Sequence, residues 1–373
     1  MPNALLLCEY PTLSGGEHSM LATLEGTRAA RIDLAVIAPP EGPLADALAA
    51  RSVEGVPFVF RDAGGNRLPQ DRLRTELTRL LQRRRPDLLH ANSLAMGRLS
   101  GPVAADLGLP SIAHLRDIVG LSGRAVADLN RHTRLLAVSQ ATRAFHVAQG
   151  VAVEKTHVLH NGVDLDRFHP RPKSGELHRE LGLAREADLV AAIGQICLRK
   201  GQDVFVRAAA ILAKKRPNAH YLIVGERWSD KPESRRFEQA LRDAATGNLA
   251  GHLHFLGYRR DVDQVLGELS LLVHPARQEP LGRVLLEAAA SGVAVAATDV
   301  GGTREIFTPD HEAARLVPPD DPDAMAAAVL ELLDDEGFRA SLAAAARRRA
   351  EVAFAAERAT TGLLEHYRAL IRP

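Results

Sequence analysis

Short apolar runs alternate along the chain with stretches of helical periodicity, and turn residues punctuate nearly every change. In parallel α/β architecture the strands are buried on both faces, so they read as continuous apolar segments between helices. In the first half the runs predict strands at Ala4–Cys8, Asp33–Ile37, Val56–Phe60, Leu88–His90, Ser111–His114 and Leu135–Val138. An amphipathic helix is expected over Arg72–Arg84, closed by Pro86. The alternation stops at Asn161–Pro172, where Pro170 and Pro172 can neither continue a helix nor donate a ladder hydrogen bond. It resumes with strands at Leu189–Ile193, His220–Val224, His252–Leu256, Ser270–Val273, Val293–Ala297 and Arg315–Val317. Helices are expected between them at about Gln202–Lys214, Glu233–Ala245, Val262–Leu269 and Arg283–Ala290, and almost continuously after Pro322.

The interruption divides the chain into two doubly wound α/β domains. Residues 1–168, rejoined by a C-terminal helix over about 355–373, form the first, and residues 169–354 the second. A length of 373 residues agrees, because one hydrophobic core seldom grows that large. Ligands of such sheets bind outside the carboxyl ends of the strands, so the expected site is a cleft between two facing Rossmann-like domains.

Composition narrows the functional classes. The formal charge of +1 gives no global attraction to nucleic acid or membrane, so any basic surface is local. The only cysteines, Cys8 and Cys197, lie far apart without zinc-type spacing, which suits a reducing cytoplasm. The N-terminus has too short an apolar run for a signal peptide, and the longest apolar stretch, Val284–Ala297, is broken by Glu287, Ser291 and Gly292. The expectation is a cytoplasmic chain, at most peripheral at the inner membrane face.

Candidate chemistry concentrates in HPARQEPLGRVLLEAAASG, from His274. A strand ends, a loop carries Glu279, and Pro280 suits a first helical turn. The amides of Leu281, Gly282 and Arg283 would then be unpaired donors at a helix N-terminus, which favours an anionic group such as a pyrophosphate. Glu279 and Glu287 are acceptors for paired sugar or ribose hydroxyls. Spacing alone equally fits Glu279 as a helix cap and Glu287 as a solvated helix residue. Arg199 and Lys200, in a loop after the strand Leu189–Ile193, can hold a diphosphate or simply be solvated. Ser14, Gly15 and Gly16 join the first strand to a helix beginning near Glu17, where glycine amides can turn toward a phosphate. They do not make G-x-G-x-x-G, so a nicotinamide site gains no support. His114, at the carboxyl end of its strand in HLRD, is a candidate for proton transfer or for a sugar hydroxyl, with Arg116 and Asp117 behind it.

EPLGRVLLE resembles the Glu-x7-Glu element of the retaining glycosyltransferases of family 4, which have the GT-B fold. SGGEHSMLATL, AVSQATRAFHVAQGV, VLHNGVDLDRF and IGQICLRKGQDVFVRAAAIL resemble further segments of that family in the expected order, so the likeness spans nearly the whole chain. It implies a nucleotide-diphosphate sugar donor (UDP-, GDP- or ADP-linked) and transfer with retention. It places Glu279 on the donor sugar, Glu287 on the ribose, Lys200 with Arg199 on the diphosphate, and the loop of Gly15 and Gly16 between donor phosphate and acceptor. It also sets His114 beside the anomeric centre. The acceptor is a glycan, a lipid-linked glycan or a small molecule. One departure stands out: Gln195 occupies a position where the family usually has Arg.

Two attractive patterns are set aside. Asp164-x-Asp166 looks like a metal-binding DxD but sits in the interruption, where turn formation accounts for it. His252 and His254 share a strand face without an evident third ligand. No cofactor or metal is expected. Arg72, Arg79 and Arg83 fall roughly on one face of a helix followed by Arg85, which suits either a plain surface helix or contact with an anionic membrane. Competing functions are a sugar-nucleotide hydrolase or epimerase on the same fold, and a degenerate nucleotide-sugar-binding protein, toward which Gln195 leans.

Overall fold

In the computed structural model, which describes residues 1–308 and 312–371, every strand pairing within the two sheets is parallel. The first sheet comprises β1 (Asn3–Leu7), β2 (Asp33–Ala38), β3 (Glu54–Pro57), β4 (Leu88–Ala91), β5 (Ser111–Leu115), β6 (Arg134–Ala137) and β7 (Thr156–Val158). Its spatial order is β3-β2-β1-β4-β5-β6-β7. The second comprises β8 (Asp188–Ile193), β9 (Ala219–Val224), β10 (Leu253–Gly257), β11 (Leu271–His274), β12 (Val295–Thr298) and β13 (Arg315–Val317), ordered β10-β9-β8-β11-β12-β13. Chain order reverses between β1 and β4 in one sheet and between β8 and β11 in the other. A crevice opens at the strand carboxyl ends where the order reverses.

The chain forms two compact units, Met1–Gly162 with the segment from Ala356, and Val163–Ala355. In the first, successive residues of β1 enter different cores. Leu5 and Leu7 pack with Leu77 and Leu99 on one face, while Ala4 and Leu6 pack with Met20, Leu24, Leu363 and Tyr367 on the other. Burial on both faces is the period-two consequence of a strand covered by helices on each side. The second unit buries Val190 and Ala192 of β8 with Phe205, Tyr221 and Met325.

Several boundaries differ from the sequence-based expectation. The units divide at Gly162, six residues before the expected 168, because residues 163–168 are tied to the second unit. The amide of Val163 donates to the Phe354 carbonyl at 2.7 Å, and Arg347 donates to the carbonyl of the buried Phe168 at 2.9 Å. β3 ends at Pro57; beyond it Phe58 and Phe60 stay buried, but the backbone turns into a loop closed by Asp62, whose Oδ1 accepts from the Asn66 amide at 2.9 Å. β7, three residues at a sheet edge, is too short to register as an apolar run.

The C-terminal tract is three helices, Pro322–Asp334, Glu336–Ala353 and Ala356–Leu370. Asp335 starts the second by accepting the Phe338 amide at 2.8 Å, and buried Phe354 ends it. The first helix of the chain begins at Gly15, earlier than expected, because Ser14 caps it and the Ser14 amide donates to Glu17 at 3.1 Å. Among the described residues no helix is long and apolar enough to cross a membrane.

Candidate active site

In the second unit the chain leaves β8 and makes a tight turn, Leu198–Lys200, that ends on Gly201. Gly201 has φ +68°, and a Cβ there would lie 1.9 Å from the Pro275 carbonyl oxygen. Only glycine lets this turn press against the loop that follows β11. The contact brings the Lys200 ammonium 2.5 Å from Glu279 Oε2. His274, the last residue of β11, reaches the same oxygen with Nε2 at 2.7 Å. From behind, the amide of Gly302 donates to the Glu279 carbonyl at 2.9 Å, and a Cβ on Gly301 (φ +53°) would lie 1.9 Å from that carbonyl oxygen.

Burial alone would raise the Glu279 pKa, but the Lys200 charge and the His274 hydrogen bond outweigh it and hold the carboxyl well below the usual range. Burial lowers the His274 pKa against the pull of Glu279, so its neutral ring donates Nε2–H to the carboxylate. Both donors meet Oε2. Oε1 accepts nothing from the described residues.

The helix Arg283–Ala290 starts beside this cluster, capped by Gly282. Pro280 lies in the loop ahead of the cap rather than in a first turn, and the Leu281 and Gly282 amides are loop amides. The Leu281 side chain is buried. Glu287 is buried and bonded to Arg283 at 2.7 Å, so it is no solvated helix residue. Glu279 does not cap the helix. Arg199 donates to the Gln278 carbonyl at 3.3 Å, and Arg277 forks onto Asp203 at 2.7 and 2.8 Å, fastening the two loops together.

In the first unit His114 lies on β5 beside His90 of β4, at the edge of a small pocket also lined by Asn92, Arg116 and Asn161. His114 Nδ1 is 2.8 Å from His90 Nε2 and 3.2 Å from an Arg116 terminal nitrogen. Arg116 also donates to the Asn92 carbonyl, to Asn92 Oδ1 and to Asn161 Oδ1 at 2.8–2.9 Å. Burial, then the Arg116 charge, pushes the His114 pKa well below the ordinary histidine value, so the ring is neutral. Gly16 abuts this network: its carbonyl accepts from Asn92 at 3.2 Å, and a Cβ there would sit 3.2 Å from Arg116 Cδ. Gly15 opens the helix, with open space beside its Cα.

Residues 13–167 match the model of Glycosyltransferase Family 4, and residues 173–349 that of Glycosyl transferases group 1. The lipopolysaccharide core biosynthesis mannosyltransferase LpsB of Rhizobium meliloti is 31% identical over 71% of this chain and 77% of that protein. The chain belongs to glycosyltransferase family 4. A phosphatidyl-myo-inositol mannosyltransferase of Mycolicibacterium smegmatis is 38% identical over 51% of this glycosyltransferase, a match spanning 46% of that relative. The fold is GT-B: a crystal structure of Anabaena HepE in complex with UDP-glucose aligns with TM-score 0.85 at 21% identity, over 98% of this chain and 99% of the other.

The glycosyltransferase thus gathers Lys200 and Glu279 at the order reversal of its second sheet, with Arg199 on the same loop as Lys200. His114, Arg116 and Gly16 meet in the first unit. Asp117 is exposed and contributes its carbonyl to His146 at 2.7 Å. Two participants carry no expectation from the residue pattern. His274 opens the motif that holds Glu279, and its position at a strand end is the available signal. His90 becomes legible only once β4 and β5 are known to be neighbours. Asp164 accepts the amides of Asp166 and Arg167 at 3.0 and 2.9 Å, a plain turn. His252 and His254 pack against His220, and among the described residues no three His, Cys, Asp or Glu side chains form a metal-holding set.

Proposed function

We propose that this enzyme transfers a sugar, with retention, from a nucleotide-diphosphate sugar to an acceptor hydroxyl without a metal ion. The observation that carries the reading is the Glu279 carboxylate, kept ionised by Lys200 and His274 through one oxygen while the other is open. An ionised buried carboxylate with a free oxygen is a strong acceptor for sugar hydroxyls. The remaining ammonium protons of Lys200, with Arg199 and the amides of Leu281 and Gly282, bind and stabilise the departing diphosphate. Glu287 takes the ribose, and the loop of Gly15 and Gly16 lies against donor phosphate and acceptor. His114 hydrogen-bonds the reacting sugar.

Support for the donor class comes from HepE, whose crystal structures hold UDP, UDP with glucose, and UDP-glucose. Support for glycan or lipid-linked acceptors comes from relatives named for lipopolysaccharide core and phosphatidyl-myo-inositol. The setting is the cytoplasm, with the helix Gln70–Arg84 as a peripheral contact to the inner membrane face. No carboxylate in the matching positions acts as a nucleophile. The departing phosphate therefore helps deprotonate the acceptor in a front-face displacement, and the protein supplies position and charge stabilisation. Gln195, a neutral side chain where the family usually has Arg, leans toward a second reading as a nucleotide-sugar-binding protein without turnover, and the intact Lys200, Glu279 and Glu287 lean harder against it.

Product analysis by NMR, with candidate donors and acceptors and with EDTA in one arm, tests the reading. A glycoside that keeps the donor's anomeric configuration, formed equally with EDTA, supports it. An inverted product, free sugar alone, or activity abolished by EDTA and restored by Mg²⁺ overturns it.

A further inference from the structure

The first unit contains a chain of buried polar groups that runs from the C-terminal helix to the pocket. Tyr367, on the helix Ala356–Leu370, places its hydroxyl 2.6 Å from His90 Nδ1. His90 Nε2 is 2.8 Å from His114 Nδ1, and Arg116 reaches that same Nδ1 at 3.2 Å. Tyr367, His90 and His114 are all essentially buried, with Tyr367 fully enclosed.

Taken alone, a Tyr–His–His chain can carry its protons in either direction. Arg116 removes that freedom, because a guanidinium has donors only. His114 Nδ1 must accept from Arg116 and so carries no hydrogen. His90 Nε2 must then be the donor to it, and His90 Nδ1, now unprotonated, accepts from the Tyr367 hydroxyl. In the reverse pattern His114 Nδ1–H would point at an Arg116 N–H, and two donors would face each other in a buried site. His114 is therefore left with its proton on Nε2, an atom with no hydrogen-bond partner among the described residues, on a ring that lines the pocket.

We propose that Tyr367 and His90 are positioning residues that lock His114 as an Nε2–H donor toward the pocket, which makes it a hydrogen-bond donor to a sugar oxygen and not a general base. This rests on the reading of His114 as the residue that contacts the reacting sugar. It goes further by assigning a direction to that contact and by bringing the C-terminal helix into the site. The surroundings agree with a neutral relay. Burial first, then the Arg116 charge, pushes His90 down to about 3, and the other titratable groups acting on the pair are His132 and His366. The Glu17 and Asp117 carboxylates act on Arg116 and favour its charge against burial.

The test combines spectroscopy with kinetics on the full chain. Long-range ¹H–¹⁵N spectra of histidine-labelled enzyme should show His114 and His90 each with a pyridine-type Nδ1 and a pyrrole-type Nε2. Tyr367→Phe keeps the ring and its packing but removes the hydroxyl. It should give His90 mixed tautomer signals and lower kcat by about 10-fold, with donor KM unchanged. His90→Leu should do the same, whereas His90→Gln, whose amide can still donate to His114 Nδ1, should recover most of the loss. A pyrrole-type Nδ1 on His114 overturns the proposal outright. Wild-type kcat in both Tyr367→Phe and His90→Leu, beside a large loss in His114→Ala, overturns the relay alone. Wild-type turnover in His114→Ala overturns the role of His114 and the relay with it.

Discussion

Lys200 Nζ stands 2.5 Å from Glu279 Oε2, although the two residues lie 79 positions apart in the chain. They meet because β8 and β11 are neighbours at the point where strand order reverses, and because Gly201 lets one loop press on the other. Both side chains are largely buried, so removing one leaves the other a poorly solvated charge.

Lys200→Ala should therefore weaken stability as well as donor binding, and the stability loss should depend on pH. Glu279 has a depressed pKa in the folded state, so its contribution is present above the unfolded carboxylate value of about 4.3 and fades as pH falls below it. Without Lys200 the carboxyl titrates higher and that contribution shrinks. Urea unfolding should show a deficit of about 3 kcal/mol at neutral pH that narrows as the pH falls below about 4. A deficit independent of pH would mean that the pair is not the source.

His114→Ala should lower turnover at least ~10-fold while leaving nucleotide affinity nearly unchanged, because the side chain belongs to the first unit and is assigned to the sugar. Steady-state kinetics with nucleotide titration separates the two effects. Wild-type turnover would remove His114 from the chemistry.

Gln195 follows Gly194 at the carboxyl end of β8, where its carbonyl accepts from Gln202 at 2.8 Å. Restoring the cation with Gln195→Arg should leave donor turnover unchanged or faster, because added positive charge helps a diphosphate leave. A large loss of activity would count against the view that a cation at this position helps the leaving group.

The helix Gln70–Arg84 exposes Arg72, Arg79 and Arg83, but Arg79 pairs with Glu76 and Arg84 with Glu54. Such pairing halves the charge available to an anionic surface. Co-sedimentation with anionic liposomes should be detectable at low salt and lost at about 0.5 M salt, where screening is nearly complete within a few Å. Failure to sediment at low salt would remove the membrane contact.

Much of this arrangement was legible in the sequence because burial on both sheet faces writes strands as apolar runs. β1, β2, β4, β5 and β8 all fall within a residue or two of the expected limits. Glu279, Lys200 and His114 were readable as candidates because each follows or ends such a run. The relations among them were not. His274 and Lys200 converge on one oxygen through a strand order that local pattern does not encode. The Tyr367–His90 contact joins residues 277 positions apart through the packing of a terminal helix. Pro280 misled because it suits a first helical turn, whereas Gly282 caps the helix.

The most direct test of the account is a thermal-shift comparison with UDP, GDP, ADP, TDP and CDP in the absence of metal. A nucleotide at ~100 times its dissociation constant adds about 2.7 kcal/mol of stability, which raises the melting temperature measurably. One nucleotide should stabilise the wild-type chain, and the shift should vanish in Lys200→Ala and Glu287→Ala. No shift with any nucleotide at millimolar concentration would contradict the assignment of a nucleotide-sugar site to the second unit.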